Sequence, residues 1–227
     1  MTDRFERTAR LLSQEKFDKL TSSVVAVIGV GGVGGFVAEF LARAGVGNLI
    51  LVDYDVIDIT NINRQIIALS SNIGLYKVDE FKKRLSDINP NINIIIHKEK
   101  ISPDNFDGII TKNIDYVADC IDDIPNKIEL IDYCSRNCIN IISSMGVGNR
   151  YKLCNYEITD IFKTEQDKLA KILRKKLRER GIVSLTAVCT KSPAENNNGA
   201  GVASISYLPP MAASMLAGYV VNRLIND

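Results

Sequence analysis

A glycine-rich segment between an apolar run and a helical stretch has the residue types that hold phosphate. It reads Gly29-Val30-Gly31-Gly32-Val33-Gly34. Glycine allows a tight turn and lets backbone N–H groups approach an anion at a helix N-terminus, where the helix dipole favours negative charge. Asp53, at the end of the next apolar run, stands where an acid would hold a ribose hydroxyl. Alone, this pair is typical of an NAD-dependent dehydrogenase; a close strand–helix crossing without ligand is the structural alternative.

Polar residues farther along the chain favour ATP over NAD. An adenylating site needs cations and an acid where charge grows on the α-phosphate and the leaving pyrophosphate, whereas hydride transfer does not. The candidates are Asp55, Asn61, Arg64, Gln65, Lys77 and Asp122. The structural alternatives are a strand cap for Asp122 and a solvated loop residue for Arg64. Because the acidic candidates and residues 143–146 follow predicted strands, they should line one crevice at the carboxyl edge of a sheet.

The elements that would position these residues alternate along the chain. Compact apolar runs alternate with amphipathic stretches from residue 21 onward, which indicates βαβ units. The runs 24–28, 49–52, 92–96, 116–118 and 139–142 are continuous, as buried parallel strands are. Helices are predicted over residues 33–44, 77–88 and 125–137. The fold class is therefore α/β, with a Rossmann-like, doubly wound, mainly parallel sheet.

Three parts are predicted within one domain over residues 1–227. Residues 1–20 form a charged arm, helical from residue 4, that cannot make a core alone. Residues 21–148 form the nucleotide-binding core, and residues 149–227 form an elaborated extension that would face the substrate. The elements predicted in the extension are an antiparallel strand over 152–161, a basic helix over 164–180, strands over 185–189 and 202–207, a polar turn over 192–198 and a final helix over 209–225.

Composition excludes several classes of protein. The 227 residues are 46% hydrophobic and 24% charged with a formal net charge of +1, which excludes disorder and gives no global sign of nucleic-acid binding. Residues 1–7 lack the apolar stretch of a secretory signal, and no run approaches the roughly 18 apolar residues of a membrane span. Five cysteines, an odd number, fit reduced thiols. We therefore expect a cytoplasmic protein without a membrane span.

Together these motifs resemble the HesA/MoeB/ThiF superfamily, the bacterial relatives of ubiquitin-activating enzymes. The shared features are the GxGGxG loop, the Asp-x-Asp after the second strand, the Asn-x-x-Arg-Gln segment, the helix lysine and the Asp-x-x-Asp segment. Within the superfamily, residues 4–11, 62–66, 143–149 and 158–164 resemble the tRNA threonylcarbamoyladenosine dehydratase branch. The resemblance covers the chain from about residue 4 to its end.

The resemblance implies an ATP site and gives roles to residues in it. The residues implied to bind ATP are Gly29, Gly31, Gly32, Gly34, Asp53, Asp55, Asn61, Arg64, Gln65 and Lys77. Arg64 and Lys77 would also act in catalysis on the α-phosphate, and Asp122 would act with them by binding Mg²⁺. In a homodimer, Arg7 or Arg10 of one subunit would complete the other subunit's site.

The activity implied is an ATP-dependent cyclising dehydration of threonylcarbamoyladenosine 37 in tRNA through an adenylated carboxylate. tRNA is then the partner, and sulfur-transfer or redox proteins are further candidate partners. The alternative within the superfamily is an adenylyltransferase that activates the C-terminus of a ubiquitin-like sulfur-carrier protein. Two candidates from outside the superfamily's chemistry are an NAD-dependent oxidoreductase and a catalytically silent nucleotide-binding scaffold.

Two features depart from the superfamily pattern. The zinc-binding CxxC pairs of some branches are absent, because the close pair Cys134 and Cys138 has a helical i,i+4 spacing, so no structural zinc is expected. Residues 191–199 make a short polar turn where dehydratase relatives can carry a longer insertion. If that insertion holds substrate, this chain recognises its substrate differently.

Residues 168–180 carry the strongest local charge, seven cations against one acid. Such density predicts contact with the tRNA backbone, and a solvated helix over an apolar stripe is the alternative. If the helix is only a solvated face, the tRNA surface would lie elsewhere, around residues 149–152. Cys189 stands where relatives place a thioester cysteine, but we expect it to be buried. The single histidine, His97, leaves little material for a catalytic triad.

Overall fold

The computed structural model describes residues 4–195 and 201–226, and there seven strands form one sheet in the order β3-β2-β1-β4-β5-β7-β6. The strands are β1 (Val24–Ile28), β2 (Asn48–Val52), β3 (Asn93–His97), β4 (Tyr116–Asp119), β5 (Ile141–Ser144), β6 (Tyr156–Asp160) and β7 (Thr186–Thr190). All neighbours are parallel except the antiparallel pair β6 and β7. The predicted doubly wound α/β fold with an antiparallel C-terminal part is confirmed.

Helices cover both faces of the sheet. They are α1 (Glu6–Leu12), α2 (Gln14–Ser22), α3 (Gly34–Ala44), α4 (Lys77–Ile88), α5 (Phe106–Ile109), α6 (Ile124–Arg136), α7 (Lys168–Glu179) and α8 (Leu208–Asn226). One face of β1, with Val25 and Val27, packs with α3, α4 and α8, while Ala26 and Ile28 pack toward α5 and α6. Buried residues of α6 and α7 form a third apolar cluster. This layering leaves the carboxyl edge of the parallel strands open for loops.

The N-terminal arm packs onto the core through its second helix. Ser13 has a φ of +78° and separates α1 from α2. Phe17 and Leu20 of α2 are buried, and the Phe5 and Phe17 rings lie 5.7 Å apart. The apolar side chains of the arm are therefore buried against the rest of the protein, as expected for a segment that cannot form a core alone.

The predicted strand over residues 202–207 is wrong. Residues 201–205 have no regular secondary structure, and the Val202 side chain is 83% exposed. The Asn149 N–H donates to the Ala203 carbonyl oxygen at 2.7 Å, and the Ala203 N–H donates to Asn149 Oδ1 at 2.7 Å. Because a loop residue satisfies these backbone groups, the segment joins the 149–152 loop and not the sheet.

Other boundaries moved for local reasons. β5 begins two residues later than predicted, after Cys138 with its φ of +55°. α7 begins at Lys168, because the Asp167 carboxylate accepts the Ala170 N–H at 2.9 Å and so caps the helix. The predicted polar turn over 192–198 lies partly outside the described residues. In the described ranges, no helix combines the length and apolar character needed to cross a bilayer.

Candidate nucleotide-binding site

A cavity of about 540 Å³ lies at the carboxyl edge of the sheet. Loops that follow β1, β2, β4 and β5 supply most of its walls, as expected for the crevice of a doubly wound sheet. The predicted site residues that line it are Gly29, Gly31, Gly32, Asp53, Asp55, Asn61, Arg64, Gln65, Lys77 and Asp122. Residues separated by up to 93 positions in sequence, from Gly29 to Asp122, therefore meet at one cavity.

The glycine loop depends on close backbone approach at two positions. Gly29 has a φ of +82°, in the left-handed region that side chains disfavour. A Cβ on Gly34 would lie 1.8 Å from the Gly29 carbonyl oxygen, so only glycine fits there. Gly34 is buried and does not line the cavity. It shapes the loop from beneath, whereas Gly31 and Gly32 face the cavity.

Asp53 ties the glycine loop to the segment after β2. Its Oδ2 accepts the Val30 N–H at 2.8 Å, and its Oδ1 accepts the Asp55 N–H at 2.9 Å. Burial raises the pKa of the Asp53 carboxyl above its usual value, and the positive charge of Lys77 opposes that shift. Each oxygen keeps acceptor capacity beyond the one N–H it receives, so a ribose hydroxyl could still donate to it.

Lys77 places a buried cation at the cavity wall. Its side chain is 4% exposed, and its Nζ lies 2.6 Å from Asp55 Oδ2. The Asp55 carboxylate is 46% exposed, so it balances the ammonium charge while remaining open to the cavity. A phosphate entering here would meet a desolvated ammonium group, whose attraction for an anion is stronger than in water.

The segment between β2 and α4 brings three more predicted residues to the cavity. The Asn61 side chain is buried, and its Oδ1 accepts the Asp58 N–H at 3.2 Å. The Arg64 guanidinium donates to the Thr60 carbonyl oxygen at 2.9 Å, which holds it in the lining. Within the described ranges Gln65 Oε1 is buried without a hydrogen-bond partner. An unsatisfied buried acceptor at a cavity wall is suited to a hydroxyl or water donor from a ligand.

Asp122 is held in place by a buried ion pair that the sequence analysis missed. Asp119 and Lys127 are both fully buried, with Lys127 Nζ 2.8 Å from Asp119 Oδ2. The same ammonium donates to the Ile121 carbonyl oxygen at 3.1 Å, and Ser143 Oγ donates to Asp119 Oδ2 at 2.7 Å. The pair thus joins β4, β5 and α6 directly beneath the 119–123 segment. Asp122 itself is exposed and lines the cavity.

The donors present fit Mg²⁺ better than a metal held by protein alone. No group of three or more His, Cys, Asp or Glu side chains suited to a metal occurs within residues 4–195 and 201–226. Mg²⁺ in phosphate-transfer sites binds through one or two carboxylates, water and substrate phosphates, and Asp122 supplies such a carboxylate. Asp53, Asp55, Glu99 and Asp123 also line the cavity, but Asp55 pairs with Lys77 and Asp123 pairs with Lys100. The absence of structural zinc stays a prediction.

Neither Cys120, which lines the cavity, nor Cys189 has a thiol suited to nucleophilic chemistry. Burial, followed by the charge of Asp119, raises the pKa of the Cys120 thiol to about 12. Burial, followed by the charge of Glu157, raises the pKa of the Cys189 thiol to about 11. A reactive cysteine needs a lowered thiol pKa, so both shifts have the wrong sign.

Three arginines considered in the sequence analysis do not line the cavity. Arg7 and Arg10 are exposed, and the Arg10 guanidinium pairs with Glu6 in its own helix. Arg150, in the loop considered for tRNA, is buried and donates to the Gly146 and Ser192 carbonyl oxygens, both at 2.9 Å. Its role is to fold the 145–150 loop, so it offers no charge to a partner.

A glycine loop and a buried lysine at the carboxyl edge of a doubly wound sheet define the class of nucleotide-binding α/β proteins. The chain belongs to the ThiF family, whose sequence model matches residues 5–227. The family expected from the sequence motifs is therefore confirmed.

Individual relatives share a name. A tRNA threonylcarbamoyladenosine dehydratase of Bacillus subtilis is 38% identical over 245 residues, 100% of this chain and 96% of the relative. The Haemophilus influenzae protein of that name is 41% identical over 176 residues, 78% of this chain and 67% of the relative. The fold matches Escherichia coli tRNA N6-threonylcarbamoyladenosine dehydratase in complex with ATP, with a TM-score of 0.93 and 31% identity across 98% of this chain and 93% of that one.

Removing one partner of the buried ion pair should destabilise the protein. Lys127→Met leaves the Asp119 carboxylate buried without its cation, which should lower the free energy of unfolding by about 3–5 kcal/mol. Asp119→Asn combined with Lys127→Met should recover part of that stability. Urea denaturation measures both, with Lys112→Met at an exposed position as the control. Equal stability of Lys127→Met and the unmodified chain would contradict the structural role.

Proposed function

We propose that this chain is an ATP-dependent tRNA threonylcarbamoyladenosine dehydratase. The carboxylate of the threonylcarbamoyl group on adenosine 37 attacks the α-phosphate of ATP, which forms an acyl-adenylate and releases pyrophosphate. A nitrogen of the same modification then attacks the activated carbonyl, the ring closes and AMP leaves. The observation that carries the proposal is the meeting of Lys77, Arg64 and Asp122 at one cavity in a chain that matches dehydratases over its whole length.

The side chains at the cavity divide the work of adenylation. Lys77 and Arg64 supply positive charge where the α-phosphate gains negative charge during attack, which is the largest kind of stabilisation a site can give. Asp122 would hold Mg²⁺, which when bound neutralises phosphate charge and orients the leaving pyrophosphate. Asp53 would accept a ribose hydroxyl. The protein supplies no nucleophile, because a nucleophile within the substrate acts at a high effective concentration.

The cyclised nucleoside itself is the decisive product. Incubating the protein with ATP and tRNA that carries threonylcarbamoyladenosine, then measuring the nucleosides by mass spectrometry, should show a decrease of about 18 mass units, one water. Lys77→Met and Asp122→Asn should each lower the rate about 10²–10³-fold, as loss of a preorganised charge does.

Thermal unfolding of both variants is the control for folding. Near-normal rates in both would discard the roles given to Lys77 and Asp122. No cyclised product from the unmodified chain would overturn the proposed function. AMP release that requires a ubiquitin-like carrier protein would then support the adenylyltransferase, and tighter binding of NAD than of Mg-ATP would support the oxidoreductase.

Three arginines on α7 or directly after it make contacts within the protein. The Arg174 guanidinium donates to the Thr164 carbonyl oxygen at 2.9 Å, and Arg178 lies over the Phe162 ring at 5.1 Å. Arg180 pairs with Glu129 and with Asp132. That residues 168–180 contact tRNA stays a prediction, and the lysines without such contacts are the cations most available to a partner.

Three lysines form one exposed stripe on α7. Lys168, Lys171 and Lys175 are exposed and form no ion pair within the described ranges, and their spacing puts them on one helix face. Lys168 is next to Leu169, which lines the cavity, so the stripe begins at the cavity mouth. We infer that this stripe contacts phosphates of the tRNA, and the cytoplasmic location expected from the sequence is part of the same proposal.

Reversing charge on the stripe should weaken tRNA binding and leave ATP binding unchanged. Lys171→Glu with Lys175→Glu removes cations that bind phosphate, so the slope of log affinity against log salt should become shallower by roughly 0.7–0.9 for each phosphate that is no longer bound. Lys19→Glu with Lys112→Glu changes the net charge equally, at exposed positions that precede β1 and β4 at the opposite sheet edge. Filter binding across salt concentrations measures both pairs. Equal effects of the two pairs would remove the stripe from the interface.

An exposed apolar surface between β2 and α4 supports the homodimer. Its large apolar side chains, all more than 40% exposed, are Tyr54, Val56, Ile59, Ile62, Leu69, Ile73, Leu75 and Tyr76. A concentration of this kind on one segment is typical of a protein–protein interface. Because the segment also holds Arg64 and Gln65, a second subunit here would lie beside the nucleotide cavity, within reach of an arginine from its arm.

Charges placed on this surface should separate the subunits. Light scattering should give the mass of a dimer for the unmodified chain and of a monomer for Ile59→Lys with Leu69→Lys. Val183→Lys, at an exposed position before β7 on the opposite sheet edge, should stay dimeric. A fully active monomer of the unmodified chain at working concentration would disprove the dimer.

A further inference from the structure

Two loops meet at the mouth of the nucleotide cavity and form what we call the rim, residues 149–152 and 201–207. The two hydrogen bonds between Asn149 and Ala203, one in each direction, join the two loops. Gly148 packs against Val202 so closely that a Cβ on it would lie 2.4 Å from the Val202 side chain. Gly148, Val202 and Ser204 all line the cavity. The rim is therefore an edge that any large substrate must cross to place a group in the cavity.

The rim carries two exposed aromatic side chains. Tyr151 is 56% exposed and Tyr207 is 40% exposed. The Tyr207 hydroxyl donates to the Tyr151 carbonyl oxygen, which joins the two residues across the loops. Within the described ranges, the Tyr151 hydroxyl itself makes no hydrogen bond. An open ring fixed through its backbone presents a flat apolar face at little cost in conformational entropy.

One lysine lies beside the Tyr151 ring. Lys152 Nζ lies 5.5 Å from the ring centroid and 3.0 Å from a Glu195 carboxylate oxygen. Arg150, the preceding residue, lies 3.9 Å from the Asp167 carboxylate, directly before Lys168. The ring is thus connected through the 145–150 loop to the start of the lysine stripe on α7. An aromatic face together with exposed lysines that can bind phosphate is the combination that binds single-stranded nucleic acid, and here the lysines are those of the stripe.

We propose that Tyr151 is a stacking platform for the base of a nucleotide next to the modified adenosine. The proposal rests on the proposed function, which puts adenosine 37 of the anticodon loop at the cavity. For a modified adenosine to enter, it must leave the stack of its neighbours, and an unstacked neighbouring base then needs an apolar face. Tyr151 offers that face at the rim while the lysine stripe holds the backbone.

An anticodon stem-loop RNA tests the platform directly. The RNA carries threonylcarbamoyladenosine at position 37 and fluorescent 2-aminopurine at position 38. At saturation with the unmodified protein the fluorophore should stay quenched, because its base stacks on the Tyr151 ring after the adenosine has left the stack. Tyr151→Ala should bind the stem-loop about 5- to 150-fold more weakly, the range seen for removal of one stacking aromatic, and should lose the quenching at saturation.

Matched variants separate stacking from other effects. Tyr151→Phe keeps the ring and should behave as the unmodified protein, while Val183→Ala removes exposed apolar area at the opposite sheet edge and should change nothing. Lys171→Glu with Lys175→Glu should weaken binding yet retain the quenching at saturation, since it removes charge and no ring. ATP affinity should be equal in all of these proteins.

The outcomes distinguish the platform from the function on which it rests. Stem-loop binding and quenching that are equal in Tyr151→Ala and the unmodified protein would overturn the platform and leave the dehydratase proposal standing. An unmodified protein that neither binds the stem-loop nor cyclises its modified adenosine would overturn both. Loss of quenching in Tyr151→Ala and not in Tyr151→Phe supports the platform.

Discussion

A pair of opposite charges in the interior fixes the geometry on which the site depends. Asp119 and Lys127 are withdrawn completely from water, and each needs the other because an unpaired charge there is costly. The carboxylate also receives the Ser143 hydroxyl, and the ammonium also binds the Ile121 carbonyl. This one ion pair therefore fixes the relative positions of β4, β5, α6 and the loop after β4. The loop that carries Asp122 to the cavity inherits its position from this pair.

The cavity is organised mostly by groups that brace one another. Asp53 holds two backbone N–H groups from different loops, and Asp55 holds the Lys77 ammonium. Preorganisation of this kind means that little reorientation remains to be done when charge develops on a ligand. Gln65 is the exception, since its buried oxygen is unsatisfied among the described residues. The cavity wall therefore combines side chains that hold one another with one acceptor that is open to a ligand.

The sequence predicted what depends on continuous patterns and missed what depends on pairing in space. β1 was located to the residue because its apolar run has abrupt ends, and the glycine loop and its acids were identified by spacing. The burial of Lys127 could not be predicted, because nothing in the sequence distinguishes a buried lysine in an amphipathic helix from an exposed one. In residues 202–207 apolar and polar side chains alternate as in a strand, yet these residues do not pair with either edge of the sheet. The charge count on α7 likewise could not tell Arg174, which is bonded inward, from exposed Lys171.

The glycines of the phosphate loop differ in the room around them, and this has a bearing on any effort to redesign the loop. An added methyl group at Gly31 would meet its nearest neighbour at 3.8 Å, and at Gly32 at 3.5 Å, both ordinary contact distances. At Gly34 it would overlap a carbonyl oxygen. Gly29 has a positive φ, so a library that randomises the whole motif would lose most of its members at Gly29 and Gly34. Diversity confined to the two cavity-facing glycines would sample altered nucleotide preference within an intact scaffold.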